Sequence, residues 1–176
     1  MRFLTASSRF EQLPVPEKWK LLDNQLYLDD NNDIILCPRN YITDGFTIPN
    51  ILSVIAGSKM QYDTRASSQH DFECSYGKVI KVHLTEQELL NMKLLHVYNG
   101  MFVCEDIPLE YLEAQKTTFK ETNARFARML KTCKNISKLR YNLITKAVYF
   151  NLSWILAKHE LNMDELYEVD YGLLVE

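Results

Sequence analysis

The chain has 176 residues, 47% of them hydrophobic and 24% charged, with a formal net charge of −3. That composition excludes a largely disordered chain and argues against non-specific duplex DNA binding, which runs on many Lys and Arg contacts to phosphate. The longest apolar-rich stretch, "AVYFNLSWILA" at 147–157, is far short of the roughly 20 residues a membrane-spanning helix needs, and no signal peptide is visible in "MRFLTASSRF".

Four of the five prolines, Pro14, Pro16, Pro38 and Pro49, fall in the first 50 residues, so an extended, turn-rich first third precedes a helical remainder. The turn-forming run Asp30-Asn31-Asn32-Asp33 predicts a β-hairpin with strands near 19–28 and 33–37, and a third short strand runs through Tyr41 to Thr43. A short helix is expected in "NILSVIAGSK", stopping at Gly57. A second runs from about Asp63 to Tyr76, with Gly77 past its end. Thr85 and Glu88 form a capping box for a third, on which Leu89, Met92, Leu95 and His96 share a face. Pro108 starts a fourth, "PLEYLEAQKTTFKETNARFARMLKTC", and a long buried helix follows in "KLRYNLITKAVYFNLSWILAKHE". The expected fold is α+β: a small antiparallel β-sheet in the N-terminal third, then four to five helices. One domain spans 1–176, with a β-rich part at 1–49, a helical part at 50–160 and an acidic tail at 161–176.

The chemistry-bearing residues gather around the acidic turn "YITDGFTIPN" and the helix at 63–76. Asp63, Ser67, His70 and Cys74 fall on one helical stripe, while Asp71 points about 100° from His70. Three readings of Asp44, His70 and Asp71 compete. They bind a divalent metal that activates water, they form a general acid/base pair, or Asp44 ties its turn while a carboxylate satisfies a partly buried His70. No Walker A, H-E-x-x-H, G-x-S-x-G or G-x-G-x-x-G motif selects among them. Cys74 as a nucleophile is disfavoured by its place deep in a helix.

Cys37, Cys74, Cys104 and Cys133 include no C-x-x-C pair, which excludes a zinc ribbon on spacing and leaves them as small buried hydrophobes. His83, His96 and His159 read as surface or packing residues. Arg125, Arg128, Lys131, Lys134, Lys138 and Arg140 read as a solvated basic face, with an acidic partner or nucleic acid as the alternative.

Residues 43–76 also carry a resemblance. Thr43-Asp44-Gly45-Phe46-Thr47-Ile48-Pro49 is similar to the "T-D-[GL]-A-S-I-P" signature of DUF1353, a family of unknown function found in tailed bacteriophages and prophages. His70-Asp71-Phe72 resembles its "H-D-[YFW]-L-Y" block, and "ETNARFARML" at 121–130 its "A-D-x-x-F" block. The chain departs from the pattern at Phe46, at Glu73-Cys74 and at Asn123, where the family often has Asp; an Asn would ligate a metal without charge. The resemblance spans roughly residues 15–155. It implies a phage source and a shared constellation of Asp44, His70, Asp71 and Asn123, which is also the candidate metal set; it supplies no activity.

The leading expectation is a bacteriophage protein, a virion- or tail-associated structural or assembly component working through contacts with other phage proteins, in the host cytoplasm or the virion. The alternatives are a metal-dependent hydrolase, acting on cell-wall peptide or a similar substrate through Asp44, His70 and Asp71, and an inhibitor of a host protein. Whether the chain is an enzyme stays open at this point, as do its cofactor and any small-molecule ligand.

Overall fold

The computed structural model describes residues 1–6, 9–43, 64–132, 136–150 and 159–174. Among these, four α-helices accompany antiparallel sheets, an α+β arrangement with helices at the lower end of the four to five expected. The expected short helix in 50–59 lies outside the described residues.

Strands β1 (Arg2–Phe3), β4 (Gln25–Leu28), β5 (Ile34–Cys37), β7 (Lys78–Val82) and β10 (Leu112–Lys116) form a five-stranded sheet in the order β1-β4-β5-β7-β10. The β4–β5 hairpin turns through the Asp-Asn run, with Asn32 at φ 62 and the Asp29 amide bonded to the Asp33 carbonyl at 2.9 Å. The register pairs Leu26 with Leu36 and Leu36 with Ile80. Because strand side chains alternate, these three share one face, while Tyr27, Ile35 and Val79 share the other. All six are buried, so the sheet is covered on both sides.

The sheet is not confined to the N-terminal third, which corrects the expected division: β7 and β10 come from the segment expected to be helical. The expected strand at 19–28 also splits. Trp19–Leu21 (β3) leaves the large sheet to pair with β2 (Phe10–Gln12) and β6 (Ile42–Thr43) in a second, three-stranded sheet.

Helix α1 (Thr64–Tyr76) ends as its sequence predicts. Gly77 takes a left-handed conformation at φ 62 and its amide reaches the Glu73 carbonyl at 2.9 Å. Helix α2 (Glu86–Asn91) carries the Thr85–Glu88 capping box, but it is short. Leu95 and His96 are not on it. They belong to β8 (Leu95–Tyr98), which turns at Asn99-Gly100, both at positive φ, into β9 (Met101–Cys104). Pro108 opens only a 3-10 turn at Leu109–Tyr111 before β10. Helix α3 (Phe119–Thr132) starts later, under a second capping box: the Glu121 amide donates to Thr118 Oγ1 at 3.3 Å and the Thr118 amide donates to Glu121 Oε2 at 2.8 Å. Helix α4 (Lys138–Phe150) packs on α3.

Helices α1 and α3 pack side by side, and α1 also touches β5, β6 and β7. Ala66, Phe126, Met129, Leu130 and Ile144 seal the helices to the Tyr27, Ile35 and Val79 face. Burying one such side chain contributes about 1.5–3 kcal/mol. Among the described residues no helix is long and apolar enough to cross a membrane.

Candidate functional site at the seam between α1 and α3

The helical repeat puts His70 and Cys74 one turn apart on α1. Across the seam, α3 supplies Asn123. The Oδ1 of Asn123 lies 2.9 Å from His70 Nε2, and the Cys74 sulfur lies 3.8 Å from Nδ1 and 3.7 Å from Nε2. The Phe126 ring packs against the imidazole at a centroid distance of 4.6 Å. The side chain of His70 is only 12% exposed.

Divergence of 100° along the helix does not keep Asp71 away. Its Oδ1 comes within 3.8 Å of His70 Nδ1, while its Oδ2 accepts a 2.6 Å hydrogen bond from Thr43 Oγ1 at the end of β6. The carboxylate therefore spans from sheet to imidazole. Burial by itself lowers the His70 pKa, but the Cys74 sulfur and the Asp71 carboxylate outweigh it and hold the imidazole well above its usual range.

Behind this cluster lies a charged network. Glu73, fully buried, accepts from Gln69 at 3.1 Å and from Thr122 at 2.8 Å, and it pairs with Arg125. Arg125 also lies 3.8 Å from Asp29, whose two oxygens accept the fork of Arg128 at 3.0 and 2.8 Å. Burial pushes the Glu73 carboxyl up, against the opposing pull of Arg125, Thr122 and Gln69. The same burial, with Asp71 and Glu73 nearby, pushes the Cys37 thiol well up.

Of the residues expected at a site, His70, Asp71 and Asn123 are brought together, and Asp44 and Asp63 lie outside the described residues. The charge network was not foreseen. Arg125 and Arg128 belong to no solvated face: their side chains are 11% and 30% exposed and spent on buried carboxylates. The spacing of Gln69 and Glu73 was the available signal, since an amide and a carboxylate at i and i+4 meet on a helix. Cys37 and Cys104 are buried, as expected of small hydrophobes, and burial pushes the Cys104 thiol up to about 12.

His70 and Asp71 could offer a cation an imidazole and a carboxylate, and Asn123 an amide oxygen. Among the described residues no three His, Cys, Asp or Glu side chains are grouped to hold a metal ion, and the Asn123 oxygen is already bonded to the ring. The arrangement instead suits proton exchange between imidazole and thiol. Comparison with protein-family models, with curated proteins and with solved structures finds no match.

Proposed function

We propose that the chain is a bacteriophage protein, a virion- or tail-associated component that acts through protein–protein contacts with other proteins of the particle. The phage source rests on the resemblance of Thr43–Pro49 and His70-Asp71-Phe72 to the phage family's paired signatures. The observation that carries the mode of action is the β8–β9 hairpin. Val97 and Tyr98 on one strand and Met101 and Phe102 on the other are 58%, 60%, 45% and 45% exposed. Val97 pairs directly with Phe102 and Tyr98 with Met101, so the hairpin exposes one apolar pair on each of its two faces. Aromatic residues and Met grouped on a surface are the composition of an interface core, and exposing them has no folding benefit. The occupant that fits is an apolar patch on another structural protein of the same particle.

Mass spectrometry of purified particles tests the reading. Stoichiometric copies are expected, and a chain carrying Val97→Ser, Tyr98→Ser and Phe102→Ser should fold but fail to join the particle. Absence of the wild-type chain from particles overturns it.

One observation favours a second reading, metal-dependent hydrolysis of a cell-wall peptide. Thr43 donates to one oxygen of Asp71 while the other lies 3.8 Å from His70, so a carboxylate and an imidazole stand side by side. Elemental analysis without bound metal, together with unchanged phage growth for His70→Ala, overturns that reading.

A further inference from the structure

We propose that Cys74, His70 and Asn123 form a thiol–imidazole–amide centre that takes up an acyl group from an activated ester, with Cys74 as nucleophile. Cysteine, base and orienting group are the three parts that nucleophilic catalysis by a thiol requires. The Oδ1 of Asn123 can only accept, so its 2.9 Å contact makes His70 Nε2 the protonated nitrogen. That leaves Nδ1 as the nitrogen to receive the thiol proton, with the Cys74 sulfur against the ring at 3.8 Å from Nδ1 and 3.7 Å from Nε2. The Asp71 oxygen 3.8 Å from the same nitrogen stabilises the imidazolium once the proton has moved.

A second observation points to a ligand. Asn123 is 1% exposed, and its Nδ2 has no hydrogen-bond partner among the described residues. A buried, unspent N–H donor costs free energy unless something fills it. Here it sits on the amide whose other atom holds the base, and a developing acyl oxyanion is the kind of acceptor it fits. The remaining described thiols differ. Cys37 and Cys104 are buried and directed at the backbone carbonyls of Ser68 and Glu105, whereas Cys74 is half-buried and faces the imidazole.

In the step, the Cys74 S–H proton passes to His70 Nδ1 and the sulfur bonds to the acyl carbon. The carbon–oxygen bond to the leaving group breaks, and the leaving group departs with its electron pair. The product is an S-acyl Cys74, with imidazolium held between Asp71 and Asn123.

The test uses the full chain, with p-nitrophenyl acetate and iodoacetamide as probes and peptide mapping to assign the label. The expected results are a burst of about one p-nitrophenolate per chain with acetyl on Cys74, and alkylation of Cys74 at pH 7 about tenfold faster than glutathione. His70→Gln should return the rate to that of glutathione. Asn123→Leu should slow it, and Asn123→Asp, which keeps the acceptor, should restore it. Circular dichroism checks that each variant is folded. A Cys74 no faster than glutathione in the wild-type chain overturns the proposal without any variant, and so does a fast Cys74 that His70→Gln leaves unchanged.

Discussion

Thr43 Oγ1 donates a 2.6 Å hydrogen bond to Asp71 Oδ2, joining the last residue of β6 to the middle of α1. Thr43 is 3% exposed, so the bond is shielded from water. A hydrogen bond to a charged group contributes about 1.5–3 kcal/mol. Thr43→Val keeps the shape and removes the donor. It is expected to cost that amount in urea unfolding; a change under about 0.5 kcal/mol would show that the bond has no structural weight.

The Glu73–Arg125 pair gives a sharper expectation. Arg125→Met strands a buried carboxyl and should destabilise the chain by about 3–5 kcal/mol. Adding Glu73→Leu removes the stranded group as well. The double variant should recover most of the loss, because a buried ion pair replaced by apolar side chains of similar volume is often neutral. Chemical denaturation of both single variants and the double variant checks it.

Asp29 predicts a pH dependence. Burial raises its pKa, but the bonds from Arg128 and the backbone, with Arg125 nearby, prevail and hold it below the ordinary carboxylate value. A depressed folded-state pKa contributes stability that is present above the unfolded value, about 3.9, and is lost as pH falls through the folded one. Stability should therefore drop below about pH 4. In Asp29→Asn that part of the drop should vanish, while stability at pH 7 is lower. Urea midpoints across pH 2–7 for the two chains measure it.

The cap of α3 is a local test. Thr118→Ala removes the side-chain acceptor for the Glu121 amide and should cost about 1 kcal/mol. Thermal unfolding with unchanged helix content at 10 °C would bear this out.

Sequence patterns revealed some of this and hid the rest for definite reasons. Gly77 and the Thr85–Glu88 box are local signals, and both mark helix ends as read. The segment after α2 was misread because apolar residues at helical spacing continue past Asn91. Yet Asn99-Gly100 between Leu95–Tyr98 and Met101–Cys104 is the strongest short hairpin signal. Pro108 suits a helix start, but Leu112–Lys116 has a partner in β7, and tertiary pairing overrides a local preference. Thr118 and Glu121 mark the true start of α3. At the site, His70 and Asp71 stood out as residue types, and their approach to Asn123 depended on how α1 lies on α3. The buried Glu73–Arg125 pair was hidden for the same reason: charge in a sequence reads as solvent-facing until a partner from 52 positions away is seen to meet it.

The order β1-β4-β5-β7-β10 also bears on synthesis. A chain leaving the ribosome can form the β4–β5 hairpin early, since its strands adjoin. β5 then waits for β7, more than 40 residues on, and β7 waits for β10, with α2 and the β8–β9 hairpin between. Until Lys116 has emerged, one edge of the sheet offers unpaired backbone to any other nascent chain. The sheet is thus completed late, and the interval before β10 arrives is when misassembly is most accessible.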